Sequence, residues 1–193
     1  MTKDTRARII EAAERLFQKK SYQDVGVREI ARAAGCSHTA IYQYFKTKDA
    51  ILYAVAEEPL ERLYAACLAV CQEQLSKKEK LLQFCQVYID FGFQERNFYD
   101  LLILYHGQRV DQAACAQPIH QLRMKSFYLL QESVSDLLPA DMKAEEKLNI
   151  SRAVFIFLHG LVTIYSLDYQ ECPAWVRQMM LDYMDYTILK KKI

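Results

Sequence analysis

The chain has 193 residues, 25 basic and 24 acidic, for a net charge of +1, and 52% of it is hydrophobic. That suffices for a sizeable core in one or two domains and excludes a disordered tail or a collagen-like fibre. Five Gly and four Pro are too few turn residues for a many-stranded sandwich or barrel, so the long uninterrupted segments predict an all-α protein of about nine helices.

The N-terminal stretch MTKDTRARIIEAAERLF is charged and amphipathic, which is not the pattern of a signal peptide. The first helix is expected from about Thr5 to Lys19, with Ile10, Ala13 and Phe17 forming a stripe that Ile9 and Leu16 widen. SYQDVG supplies a turn. A short second helix, Val27 to Ala34, puts Val27, Ile30, Ala31 and Ala34 on one face and stops at Gly35. Ser37 is suited to N-cap a third helix, His38 to Phe45, that turns Ala40, Ile41 and Phe45 inward and Thr39, Tyr42 and Gln43 outward. Two short helices split by Gly35-Cys36-Ser37 form a helix-turn-helix.

Further on the segments lengthen. Ala50 to about Gln74 reads as helix with a kink or break at Pro59. Helices follow at 77–94, 98–107, 118–138, 144–168 and 173–191, with no repeat or flexible linker between them. The stretch Ala153 to Leu167 is apolar except for His159, Thr163 and Ser166, and is short for a bilayer span. Protein must cover it on more than one side. With the Trp175, Met179, Met180, Tyr183 and Met184 face of the last helix, it predicts a homodimer through the two C-terminal helices, although the periodicity leaves open which side of the apolar helix meets the partner.

Charge is unevenly spread. Residues 1–50 hold ten basic and six acidic side chains, a net +4, while residues 51–193 hold fifteen and eighteen, a net −3. A basic head (residues 1–50) on an acid-leaning body (residues 51–193) suits a polyanion partner. A helix that enters the major groove, about 12 Å wide, needs small or flat polar residues on its exposed face. Thr39 can meet a phosphate or a thymine methyl, Gln43 an adenine edge, and the Tyr42 and Tyr44 hydroxyls phosphates. Ser37 with the first amides of the third helix is placed for a phosphate, Lys46 and Lys48 flank the groove, and Val27 and Arg28 face its opposite wall. His38 reads either as a contact or as a solvated side chain, and Tyr44 either as a contact or as packing against the first helix.

The run Gly35-Cys-Ser-His-Thr-Ala-Ile-Tyr-Gln-Tyr-Phe-Lys-Thr-Lys-Asp-Ala-Ile-Leu52 resembles the signature of the tetracycline-repressor (TetR) family of bacterial regulators. Ile9-Ile-Glu-Ala-Ala-Glu-Arg-Leu-Phe17 and Val27-Arg-Glu-Ile-Ala-Arg-Ala-Ala34 match that family's first two helices in order and spacing. Three linked segments are far more specific than a lone helix-turn-helix pattern. The resemblance implies that Tyr42 contacts DNA and that Lys48 lies on the DNA backbone. Phe157-Leu-His-Gly160 resembles the Trp-His-Gly element in the C-terminal domain of one TetR subgroup, with Phe-Leu in place of Trp.

The resemblance also implies a small-molecule cavity among the body helices. Tyr88, Phe91, Tyr105, His106, Phe127, Phe155, His159 and Tyr165 are the candidate lining residues, with His106, Gln108, His159 and Tyr165 as polar handles for an apolar or aromatic effector. Cys67 and Cys71, four residues apart, read as a metal or redox pair or as buried small hydrophobes. No His or second Cys pair has matching spacing, and no phosphate loop, nucleophile elbow or HExxH pattern occurs. No catalytic residue, cofactor or metal is therefore expected. The reading favoured is a ligand-responsive, dimeric repressor of a palindromic operator. An architectural DNA-binding dimer without an effector is the alternative, and an enzyme in the helical body is a third.

Overall fold

The computed structural model describes residues 4–96, 98–99 and 118–189. Among these residues the chain is all-helical, with α1 (Thr5–Phe17), α2 (Val27–Ala33), α3 (His38–Tyr44), α4 (Lys48–Gln72), α5 (Lys77–Gln94), α6 (Pro118–Ser135), α7 (Ala144–Tyr165) and α8 (Ala174–Thr187). The helix expected at 98–107 lies outside the described residues, apart from its start at Phe98 and Tyr99.

Side-chain caps explain four of the eight helix starts. Asp4, Ser37, Thr47 and Ser76 each accept a backbone N–H of the first turn, and Ser76 closes a reciprocal capping box with Glu79. α2 ends in a Schellman arrangement. Gly35 takes φ +64°, Cys36 N–H donates to Ala31 C=O at 3.0 Å, and Gly35 N–H donates to Arg32 C=O at 3.2 Å.

Two apolar clusters organise the molecule. The first joins Ile9, Ala12, Ala13 and Phe17 of α1 to Ile30, Ile41 and Phe45, to Ile51, Leu52, Val55, Ala56 and Leu60 of α4, and to Ile119 and Leu122 of α6. The stripe on α1 centres on Ile9 and Ala12 rather than on Ile10, which is only half-buried. The head's core thus continues past residue 50, and α4 is shared between head and body. The break that Pro59 offered does not occur. α4 runs through it as one helix, and Pro59 sits on a half-buried side where the missing N–H costs one ladder bond without ending the helix.

The second cluster fills the body with residues of α4 to α8, among them Cys67, Phe84, Leu130, Leu158, Val162 and Met180. Burial pushes the Cys67 thiol up to about 12, in keeping with a small buried hydrophobe. An ion pair of 2.7 Å between Arg177 and Asp90 ties α8 to α5. The tight crossing of α5 and α7 is at Gly92 and not at Gly160. A Cβ on Gly92 would stand 2.5 Å from a Val162 methyl, whereas one on Gly160 would meet nothing within 4 Å. Gly160 is on the outer side of α7 with Ile156 and Ile164, while Leu161 points into the core at 4% exposure.

Candidate nucleic-acid interface and ligand cavity

Ile41 and Phe45 anchor α3 in the first cluster, which leaves the opposite side of this short helix in solvent. Thr39, Tyr42, Gln43 and Tyr44 are all exposed there, with His38, Lys46 and Arg28 exposed beside them and Val27 half-buried at the start of α2. Tyr44 is 43% exposed. The His38 ring meets Tyr42 edge-on at 5.1 Å and braces it. Ser37 is engaged by its own helix, since its hydroxyl oxygen accepts the Ala40 N–H at 3.0 Å.

Lys48 is oriented differently from the sequence expectation. Its ammonium turns into the head, donating to the backbone carbonyls of Tyr22 at 2.6 Å and Val25 at 3.0 Å. It also lies 4.1 Å from the centre of the Tyr22 ring. Burial lowers the Lys48 pKa from its ordinary value, partly offset by Asp49 and Asp24. The Tyr22 hydroxyl donates to the Asp49 carboxylate, so the turn between α1 and α2 is clamped to the first turn of α4. The resemblance put Lys48 on the DNA backbone, and the sequence carried no signal for this inward turn.

The body holds a cavity of about 50 Å³ among α4, α5, α6 and α7. Of the sequence candidates, Tyr88, Phe91, Phe127, Phe155 and His159 line it together. Tyr165 does not. It packs edge-on against Trp175, with ring centres 4.9 Å apart. Tyr105 and His106, like Gln108, lie outside the described residues. Arg123, Ser126 and Tyr99 are lining residues that sequence reasoning did not select, and Leu60, Leu63, Phe84 and Leu130 complete the wall. Tyr99 alone carried a signal, as one more aromatic in an aromatic-rich region.

One wall of the cavity is a hydrogen-bonded chain. The Tyr88 and Tyr99 hydroxyls are 3.0 Å apart, and the Tyr99 hydroxyl is 2.6 Å from His159 Nδ1. Burial pushes the Tyr88 pKa up to about 12, with the Tyr99 hydrogen bond and the Arg123 charge opposing. Burial, then Arg123, lowers the His159 pKa, so its imidazole is neutral at pH 7.

A helix-turn-helix head with an exposed recognition face, carried on a helical body, defines a DNA-binding transcription regulator. Residues 9–55 match the model of the bacterial regulatory proteins of the tetR family, and residues 81–179 match the tetracyclin repressor-like C-terminal domain. The chain belongs to the TetR family.

An uncharacterized HTH-type transcriptional regulator of Mycobacterium tuberculosis is 36% identical over 75 residues, covering 39% of this chain and 37% of that relative. The match thus spans little more than a third of that relative's length. Among solved structures, a TetR-family regulator from Bordetella parapertussis superposes with a TM-score of 0.72 at 20% identity, over 99% of both chains. FadR from Bacillus subtilis, in complex with stearoyl-CoA, superposes with a TM-score of 0.70 at 17% identity, over 96% of this chain and 99% of that one. These likenesses share the fold.

Proposed function

We propose that the chain is a ligand-responsive repressor that binds a palindromic operator as a homodimer and lets go when a small apolar or aromatic effector enters the body cavity. One observation carries this reading: Leu60 of α4 belongs to the head's core and also lines the cavity. A ligand that pushes on Leu60 therefore pushes on the rod that carries the head. α6 has the same double membership, with Ile119 and Leu122 in the head's core and Phe127 in the cavity wall. The cavity has room for only a few waters. An effector must spread its walls, and that displacement is the switch.

In this reading Thr39 and Gln43 read base edges, Tyr42, Tyr44, Lys46 and Arg28 hold the DNA backbone, and His38 supports Tyr42. Lys48 acts from behind, by fixing the loop ahead of α2. The outer face of α7 and α8, with Ile156, Ile164, Trp175 and Tyr186 exposed, joins two copies. Two recognition helices must then match groove positions about one helical turn or a multiple apart, so a small change in their spacing breaks simultaneous contact. The stearoyl-CoA held by FadR supports an apolar ligand in a body of this shape. Regulation of transcription by such a protein takes place in the cytoplasm, on the chromosome.

The test is selection of bound genomic fragments by the full chain, followed by a metabolite screen for release. An inverted-repeat site released by a ligand is expected. Coupling of about 1–3 kcal/mol is typical, and operator DNA must weaken ligand binding by the same factor. Equal ligand affinity with and without operator would overturn the switch. Binding with little sequence preference would favour an architectural role.

A further inference from the structure

Arg6 occupies a core register at the edge of the head. It stands three residues before Ile9 and seven before Ala13, both fully buried, so it continues the buried stripe of α1 one turn beyond the core. It is nevertheless exposed. Its guanidinium carbon lies 5.4 Å from the centre of the Phe45 ring, over the residue that caps the C-terminus of α3. Among the described residues no hydrogen bond or ion pair engages that guanidinium. The carboxylate of Asp4 is turned to the Arg6 backbone N–H, at 3.2 Å. Arg8 differs. It is half-buried and donates to the Thr5 hydroxyl at 3.3 Å, and a Cβ on Gly35 would stand 3.7 Å from its guanidinium, so its charge stays with the turn between α2 and α3.

The end of α3 needs a cation that α3 itself lacks. The last carbonyls of a helix have no intrahelical partner and carry partial negative charge, which repels phosphate. The last turn of α3 holds no basic residue. At seven residues α3 rises about 10 Å, against a major groove about 12 Å wide, so groups at either end stay within an arginine's reach of a bordering strand. Lys46, exposed just past the helix, is one cation at that end, and Arg6, brought there by the Phe45 ring, is the second. Lys48 is not available, since its ammonium is held by the carbonyls of Tyr22 and Val25.

We propose that Arg6 contacts a phosphate of the DNA backbone beside the C-terminal end of α3, with Phe45 holding the guanidinium in place. A planar guanidinium can lie against a ring and still present its N–H fork to a phosphate. The inference rests on α3 being the helix that enters the groove, and it adds a contact that comes from α1 rather than from the helix-turn-helix. Because a phosphate carries no base identity, Arg6 strengthens binding to any duplex alike.

Binding of the full chain to random-sequence duplex DNA and to the selected operator, each measured across a range of salt, tests the assignment. Arg6→Met keeps an unbranched stem on Phe45 and removes the charge. It is expected to weaken binding to both duplexes about fivefold at physiological salt and to lower the salt slope by about one unit, the share of one neutralised phosphate. Arg6→Lys should restore the slope. Thermal melting shows that each variant is folded. A salt slope that Arg6→Met leaves unchanged, a loss of melting temperature with DNA affinity intact, or a change in which bases the selected site prefers would each overturn the proposal. Tyr42→Ala, run beside these variants, separates this failure from that of the recognition face. Weaker binding by Tyr42→Ala with no change in Arg6→Met sinks the Arg6 contact alone, while wild-type affinity in both variants removes α3 from the groove and the contact with it.

Discussion

Lys48, the first residue of α4, donates a 2.6 Å hydrogen bond to the Tyr22 carbonyl and lies over the same residue's ring. The ammonium thus bolts the loop before α2 to the helix that leads into the body. With two of its three N–H donors on the backbone carbonyls of Tyr22 and Val25, it has little left for a phosphate. Lys48→Ala is therefore expected to destabilise the fold by about 1–2 kcal/mol, since partly buried charged hydrogen bonds are lost. Urea unfolding measures that cost. The salt dependence of DNA binding separates the two roles. An unchanged slope fits a bolt, and a slope reduced by about one unit would place the ammonium on a phosphate.

The recognition face allows a cleaner experiment. Tyr42 is 47% exposed and touches His38 alone among the aromatic rings of the described residues. Tyr42→Ala should weaken operator binding without loss of helicity or dimerisation. Gln43→Ala should instead change which base is preferred, by about 1–3 kcal/mol at one position. Sequence selection with each variant, run beside thermal melts, distinguishes the outcomes. Wild-type affinity in both variants would mean that another face meets DNA.

The head was legible because its signals are local. Gly35 marks a left-handed helix end, Ser37 caps the next helix, and Ile41 and Phe45 fall on one side of α3 by simple periodicity. The direction of the Lys48 ammonium was not legible, because its partners lie 23 and 26 residues away. The cavity was half legible. Aromatic content pointed to Tyr88, Phe127, Phe155 and His159, but composition cannot separate these from Tyr165, which faces Trp175. No sequence signal singled out Arg123, whose place in the cavity wall depends on how α6 packs. For the same reason nothing in the sequence marked Gly92 as the place where α5 and α7 approach most closely.

That approach gives a stability prediction. A methyl at residue 92 would overlap the Val162 side chain, which is itself fully buried. Gly92→Ala should cost about 1–3 kcal/mol through overpacking, even though alanine is the better helix former. Pairing it with Val162→Ala removes the clashing methyls, so the double variant should be less destabilised than the two single effects added together. Simple additivity in thermal or urea unfolding would show that a methyl at residue 92 does not press on Val162.

The dimer can be tested by the contrast between two neighbouring turns of α7. Ile156 and Ile164 are 67% and 59% exposed and lie on one side, with Gly160 between them. Leu161 lies one step round the helix and is buried within its own subunit. If two copies meet on the outer face, Ile164→Glu places a carboxylate in an apolar contact, where an unpaired charge is costly. The expected result is a folded monomer by sedimentation, with near-native helicity. Leu161→Glu puts the same charge into the body's core and should lower the melting temperature of the subunit itself. The Ile164→Glu monomer keeps its recognition helix but loses the second half-site, so its operator affinity should fall steeply while affinity for an isolated half-site stays the same. A dimer unaffected by Glu at 156 and at 164 would move the interface away from α7.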